Sequence, residues 1–509
     1  MLSYTEIGVT ATALGSSLYL LYGTRRPKKP LPPSPAGSYP LIGHALVHPT
    51  ENEHLTYARW CKELKSDIIS VTILGQTIII LNSVNAATDL LDQRATLYSD
   101  RPYLRVICDP RLFDWAGGII MLPYGPQWKK QRRIMHGVLK PSANTRNFAL
   151  FERETHGLLK RLMVNSDVFE KEFRRTVAAK ILSSVYGYTV KDTHDSLVED
   201  NATLVENLTI AAIPGNFMVN FIPWLKYVPE WFPGARWKRK IKEWRKLKES
   251  VVNGPYNWAK AQIASGFAAP SIVQTHLASV GGASDAELAD EEENLKLVGV
   301  ALFGGAVDTS HASLMSFMLA MVQHPEIQTR AQEEIDRVTH SERLPNLADR
   351  ESMPYVRCII QEVLRWQPPL PLGVPRSTAQ DDEYRGYFIP KGSIVMTNAW
   401  AMSRDESVYK SPEKFDPERF LDNKTPSTPA FGFGRRSCPG IHYGEASLFI
   451  LFASILAVFD IKPKVNPTTG QEEMPEAKVA LRALVSRILP FECTIKPRSN
   501  LHKELIESA

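Results

Sequence analysis

The chain has 509 residues, 44% of them hydrophobic and 23% charged, with a formal net charge of +5. These proportions are ordinary for a folded protein and exclude a disordered chain, a collagen-like fibre and a polytopic membrane protein. The small basic excess is spread over a long chain, which argues against a nucleic-acid binder. At ~150 residues per domain the length allows about three domains, with enough core to dispense with disulfides. The five cysteines, Cys61, Cys108, Cys358, Cys438 and Cys493, include no CxxC pair. They predict neither a disulfide framework nor a zinc ribbon, and they fit a reducing compartment.

Residues 7–22 carry no charge and are followed by Arg25, Arg26, Lys28 and Lys29, then by prolines 30, 32, 33 and 35. The run is shorter than the ~20 residues of a usual span, and Tyr4 and Tyr22 extend the anchored length. A cleaved signal peptide wants positive charge ahead of its apolar run, but Glu6 is the only charge there. The pattern therefore predicts a membrane anchor over 1–24 with the body on the cytosolic side. Prolines cannot continue the helix, so 25–45 is expected as a basic, proline-rich hinge and 46–509 as the body.

Residues 68–82 are rich in β-branched residues around Gly75 and predict a β-hairpin. Helical spacing dominates from about residue 128 to 366, with clear apolar periodicity over 150–190 and 236–265. The longest helix is expected over 290–323, behind an acidic start, and another over 352–366, stopped by Pro368 and Pro369. Residues 384–398 return to β character. A last helix is expected at about 439–457, with strands near 478–496. The body reads as one large, mainly α domain with small β-sheets.

The most specific local pattern is FGFGRRSCPG, residues 431–440. Gly432 and Gly434 let the backbone turn sharply and approach a flat ligand. Cys438 precedes a helix, where free N–H groups favour a thiolate. A thiolate presented from such a turn suits an axial ligand to haem iron; an inert buried cysteine is the plain alternative. Phe431, Gly434, Arg436, Cys438 and Gly440 together match the haem loop of cytochromes P450.

The chain resembles that family along roughly residues 30 to 500, in its motif order. Glu362 and Arg365 form E-x-x-R on a helix, a spacing also found at Glu172–Arg175 and Glu334–Arg337. With Arg419 of FDPERF they resemble the family's structural clamp behind the haem. LFGGAVDTSH (302–311) resembles its oxygen-activation motif, with Ala306 where a second glycine is usual. Thr309 is the implied hydroxyl and Asp308 the relay carboxylate, beside a widened helix turn; the alternative is a threonine bonded back to its own helix. Trp128 and Arg132 match W-x-x-x-R, whose arginine reaches a haem propionate, and Arg376, Arg436 and His442 are further implied partners. Lys129, Lys130 and Arg133 are either a solvated face or a docking surface for an acidic reductase.

The resemblance implies a haem b monooxygenase drawing on O2 and on electrons from an NADPH-dependent reductase, at the endoplasmic reticulum membrane. SDRP (99–102) and the cysteine loop look most like fungal members of secondary metabolism, including those similar to O-methylsterigmatocystin oxidoreductase. Motif alignment gives a pocket from 103–122, 301–309, 370–375 and 483–485. Its side chains are Phe113, Trp115, Leu302, Phe303, Leu370, Leu372, Val374 and Leu484, implying a lipophilic substrate such as a terpenoid or polyketide. Competing readings are a reductase-independent haem-thiolate isomerase or dehydratase, and a non-catalytic haem-binding protein. Asn201, Asn207 and Asn423 lie in N-x-S/T triplets and stay unmodified if the body is cytosolic.

Overall fold

The computed structural model describes residues 29–191, 195–422, 424–479 and 484–509. The expected anchor (1–24), Asn423 and residue 483 lie outside them. Helices of eight residues or more are α1 Glu53–Leu64, α2 Pro126–Leu139, α3 Phe148–Val164, α4 Phe169–Tyr186, α5 Ser196–Ala212, α6 Arg236–Ala264, α7 Ile272–Ser279, α8 Asp285–Gln323, α9 Pro325–Thr339, α10 Pro354–Trp366, α11 Ile441–Val458 and α12 Asn500–Ser508. The strands are β1 Ile68–Ile73, β2 Gln76–Leu81, β3 Arg376–Ser377, β4 Asp382–Tyr384, β5 Tyr387–Ile389, β6 Ile394–Thr397, β7 Phe459–Val465, β8 Glu472–Glu473 and β9 Cys493–Pro497. The fold is mainly helical with small sheets.

The expected hairpin is β1–β2, registered Ile68 to Leu81, with Gly75 at φ +82 in its turn. β6 adds to β2 in parallel and β3 to β6 antiparallel, giving the order β1-β2-β6-β3. β7 pairs with both β8 and β9. The prolines expected to form a hinge are docked on this framework instead. Ser70 donates its N–H to Pro33 O (2.9 Å) and its Oγ to Pro32 O (2.6 Å), and Phe388 N–H reaches Pro30 O (2.8 Å). Proline carbonyls keep their acceptor capacity, so a stiff segment lying against a strand is held by them.

α8 starts at Asp285, five residues before the expected start. Ser284 caps it: its Oγ accepts from Glu287 N–H while the Glu287 carboxylate accepts from Ser284 N–H, a reciprocal capping box. From Leu314 to Val322 every residue of α8 is buried, as is every residue of α11 from Ala446 to Val458. The two helices meet with Phe317 stacked on Phe452 at 3.9 Å. Among the described residues these two are also the helices long and apolar enough to cross a membrane. Their burial in the protein accounts for that composition.

Asn201 and Asn207 are buried on α5, and Asn201 Nδ2 donates to Leu197 O (2.7 Å). Neither amide is accessible in the folded protein.

Lys180 of α4 is fully buried between α3 and α11. Its Nζ donates to Thr155 Oγ1 (3.0 Å) and Ser447 Oγ (3.5 Å) and sits 5.4 Å from the Phe151 ring centroid. Burial, only partly offset by the Glu154 carboxylate, lowers the amine to about 7. An unfolded lysine titrates near ~10.4, so across this window the unfolded chain binds the extra proton. Stability is complete above the unfolded value and falls as pH drops toward the folded one. Lys180→Met is expected to raise the urea midpoint at neutral pH, by roughly 1–4 kcal/mol in unfolding free energy. It should also flatten the rise in stability between neutral and alkaline pH.

Candidate functional site

The segment 429–440 joins two short 3-10 turns, Pro429–Phe431 and Gly434–Arg436, to the first turn of α11. Gly434 has φ +52, and a Cβ there would stand 2.1 Å from Leu91 O, so only glycine lets the loop lie against the turn at 88–93. Cys438 N–H donates to Phe431 O (2.8 Å) and closes the loop. The other four cysteines are buried, and burial pushes Cys61 and Cys493 up to about 12 and Cys108 and Cys358 up to about 11. Cys438 alone is reached by solvent, yet protein surrounds it on nearly every side. It therefore faces an internal slot. Burial raises its thiol, while the Gly440 N–H and the Arg132 guanidinium favour the thiolate.

Around this loop four arginines converge. Arg436 donates through Nε to Ser99 O (2.8 Å), Nη1 to Ile119 O (3.2 Å) and Nη2 to Leu122 O (2.5 Å), and lies over the Trp128 ring at 4.8 Å. Arg132 lies over the same ring at 5.9 Å. Arg376 Nη2 donates to Phe433 O (2.5 Å), and its buried Nη1 has no partner. Arg101 Nη1 donates to Val374 O and Pro375 O (2.8 and 2.5 Å), leaving its buried Nε without one. Among the described residues none of the four forms a salt bridge with a carboxylate. Burial, then mutual repulsion, lowers Arg436 to about 10; burial does the same to Arg376 and holds Arg101 well below its ordinary value. Such a cluster calls for an anion carrying more than one charge. Arg101 is absent from the expected site, although it stands in the SDRP phrase. His442 is exposed in the first turn of α11.

Gly305 is exposed within a helix buried on both sides of it, and a Cβ there would meet nothing within 4 Å. The space beside its Cα is open. α8 remains α-helical throughout, so the expected widened turn is not formed. Thr309 Oγ1 donates back to Gly305 O (2.8 Å), the arrangement that local bonding alone favours. Asp308 is buried and points into an ion pair: Arg174 Nη1 lies 3.2 Å from Oδ1 and Arg487 Nη2 2.5 Å from Oδ2. Neither arginine stood out in the sequence, because their partner comes from a distant element.

The pocket candidates divide. Phe113 and Trp115 are buried against each other, with Phe113 also on Trp244 (5.7 Å). Leu302 and Phe303 belong to the central core. Leu370, Leu372, Val374 and Leu484 are half-buried. Ser486 N–H donates to Pro369 O (2.8 Å), joining the segments at 370–375 and 484–487. Arg487 in turn ties the second segment to α8.

Behind the loop, Arg365 Nε and Nη2 bond the Glu362 carboxylate at 2.6 and 2.8 Å, and Arg419 Nε reaches it at 3.2 Å. Arg365 also donates to Ser403 O, Pro412 O and Lys414 O, and Asp416 N–H donates to Glu362 Oε1 (2.7 Å). The two look-alikes differ. Glu334 accepts from the N–H groups of Tyr355 and Val356 at the start of α10, and Glu172 pairs chiefly with Arg161.

A sequence model of the family described as Cytochrome P450 matches residues 32–489. The chain belongs to the cytochrome P450 family. A cytochrome P450 monooxygenase of Armillaria gallica is 39% identical over 95% of this chain and 94% of its own length. One from Postia placenta is 38% identical over 96% and 95%, and one from Coprinopsis cinerea 35% over 97% and 94%. This P450 is a monooxygenase by family, and the family implies haem. The residues present fit that group: a slot-facing thiol stands beside half-buried and buried guanidiniums that pair with no carboxylate among the described residues, two of them, Arg101 and Arg376, with an orphaned buried nitrogen.

Glu362→Ala leaves Arg365 and Arg419 buried without their anion. It should cost about 3–5 kcal/mol, read as a lower urea midpoint and as less haem per polypeptide after purification.

Proposed function

We propose that this P450 oxidises a lipophilic small molecule, using O2 and electrons from NADPH-cytochrome P450 reductase, on the cytosolic face of the endoplasmic reticulum. The observation that carries the reading is the solvent-reached Cys438 beside four arginines, Arg376 buried and Arg101, Arg132 and Arg436 half-buried, none of which forms a salt bridge with a carboxylate among the described residues. Cys438 would ligate the iron; Arg101, Arg132, Arg376 and Arg436, with Trp128 and His442, would hold the propionates. Haem b, once bound, supplies O2 reduction and oxidation of an unactivated C–H bond.

The chain's own part is positioning and proton handling. Thr309 must release Gly305 O before its hydroxyl can hand on a proton. Asp308 must loosen its ion pair before its carboxylate can exchange one. The half-buried Leu370, Leu372, Val374 and Leu484 suit a lipophilic substrate such as a terpenoid or polyketide, in line with fungal secondary metabolism. Met218, Trp224, Tyr227, Trp231 and Phe232 are exposed within fifteen residues. Aromatic side chains so placed favour a membrane surface. Lys129, Arg133 and Arg435 are exposed cations suited to an acidic reductase, whereas Lys130 pairs with Asp290 and Glu291.

The decisive measurement is the spectrum of reduced, carbon-monoxide-bound protein. Haem-loaded protein should show the strongly red-shifted Soret band of thiolate ligation, and its absence overturns the reading. Cys438→Ala should abolish the band. Thr309→Ala should keep it but divert NADPH electrons into hydrogen peroxide. Tight coupling in that variant would count against the hydroxyl's role. A reductase-independent isomerase or dehydratase would transform its substrate without consuming NADPH.

A further inference from the structure

Asp308 is clamped on both oxygens by cations from two other elements, Arg174 of α4 and Arg487 of the segment at 484–490. Three buried polar atoms nearby have no hydrogen-bond partner: Arg487 Nε and both ring nitrogens of His311. His311 lies three residues beyond Asp308, on the same face of α8. It is almost fully buried, and both clamp guanidiniums act on its ring. The groups facing it are Arg174 from α4, Arg487 from the C-terminal segment, Asp308 from its own helix and the main-chain carbonyl of Glu170, which favours a proton on the ring.

Buried donors and acceptors are satisfied almost everywhere in folded proteins. A buried donor left open on one member of a cluster and a buried acceptor left open on another are complementary. Together they describe a second arrangement of the same groups. Burial and the two guanidiniums lower His311 to about 3, so its ring is neutral over any working pH. A neutral imidazole has one N–H and one unprotonated nitrogen. With the Glu170 carbonyl on the N–H side, an acceptor remains.

We propose that His311 is the second acceptor of the clamp. When Asp308 releases Arg487, the guanidinium Nε–H turns onto the unprotonated nitrogen of His311, and the freed carboxylate can exchange a proton with solvent. His311 is thus a positioning residue acting through Arg487. It gives the Nε–H, unpartnered while the clamp is closed, an acceptor on release, which offsets the lost Nη2 ion pair and makes the clamp two-state. Side-chain exposure of 29% for Arg174 and 32% for Arg487 provides the path to solvent. The inference rests on the relay role proposed above for Asp308.

The test is a double-mutant cycle on full-length, haem-loaded resting protein, read by urea unfolding. Asp308→Asn removes the charge that holds Arg487 and so shifts the clamp toward release. In the wild-type background Arg487 can turn to His311; in His311→Phe it cannot. The change in unfolding equilibrium constant caused by Asp308→Asn should be about tenfold larger in the His311→Phe background, one hydrogen bond to a charged group. His311→Gln retains an acceptor and should restore the wild-type value; His311→Leu serves as a second variant without one. Additive effects of Asp308→Asn and His311→Phe overturn the proposal. With added reductase, His311→Phe should slow NADPH consumption and enlarge its solvent deuterium effect, with recovery in His311→Gln; no change in either also overturns it. The cycle needs no turnover, so it decides the clamp independently of the carbon-monoxide spectrum that decides the thiolate reading.

Discussion

A guanidinium removed from water must find negative charge or enough carbonyl oxygens, and the organisation around Cys438 follows from that demand. Arg436 meets part of it with three main-chain carbonyls from two separate stretches, so the charge that needs neutralising also stitches residues 99–122 to the cysteine loop. Arg101 does the same for residues 374 and 375. What these bonds leave over is net positive charge at a slot, and a bound dianion removes it. Binding there adds to folding stability, because the unfolded chain has no such site.

The rest of the molecule answers the same demand differently. Glu362, Arg365 and Arg419 are closed within the chain, with four further carbonyls and a main-chain N–H absorbing what remains of their hydrogen-bonding capacity. Lys180 eases it through a lowered pKa, so that its proton leaves far more readily than that of an exposed lysine. The Asp308 cluster stands between these, paired yet with donor and acceptor left open. A closed network suits a permanent scaffold, whereas an open one suits a part that changes partners.

What the sequence revealed depended on how local each signal was. The hairpin at 68–81 and the helices carrying Glu362 and Thr309 follow from periodicity and breakers. The early start of α8 was also written locally, in the S-D-A-E of 284–287, but the acidic run behind it drew attention away. β7 alternates in burial, yet Pro463 and its junction with α11 mask the pattern. The three E-x-x-R spacings are indistinguishable as strings, and only the partners met in the fold separate Glu362 from Glu334 and Glu172. Arg101, Arg174, Arg487 and His311 were beyond reach for a stronger reason: each has meaning only through partners far away in the chain. The haem-loop glycines show the converse, since the need at Gly434 comes from Leu91, more than three hundred residues earlier, yet the family pattern carried it.

The proline segment at 30–35 has a practical bearing on any shortened form of the protein. Its carbonyls satisfy β1 through Ser70 and β5 through Phe388. Trimming away the apolar leader can therefore begin no later than Pro30. A cut placed after Pro35, where the basic and proline-rich stretch looks expendable, would bare the N–H groups of Ser70 and Phe388 and leave an unzipped sheet margin open to self-association.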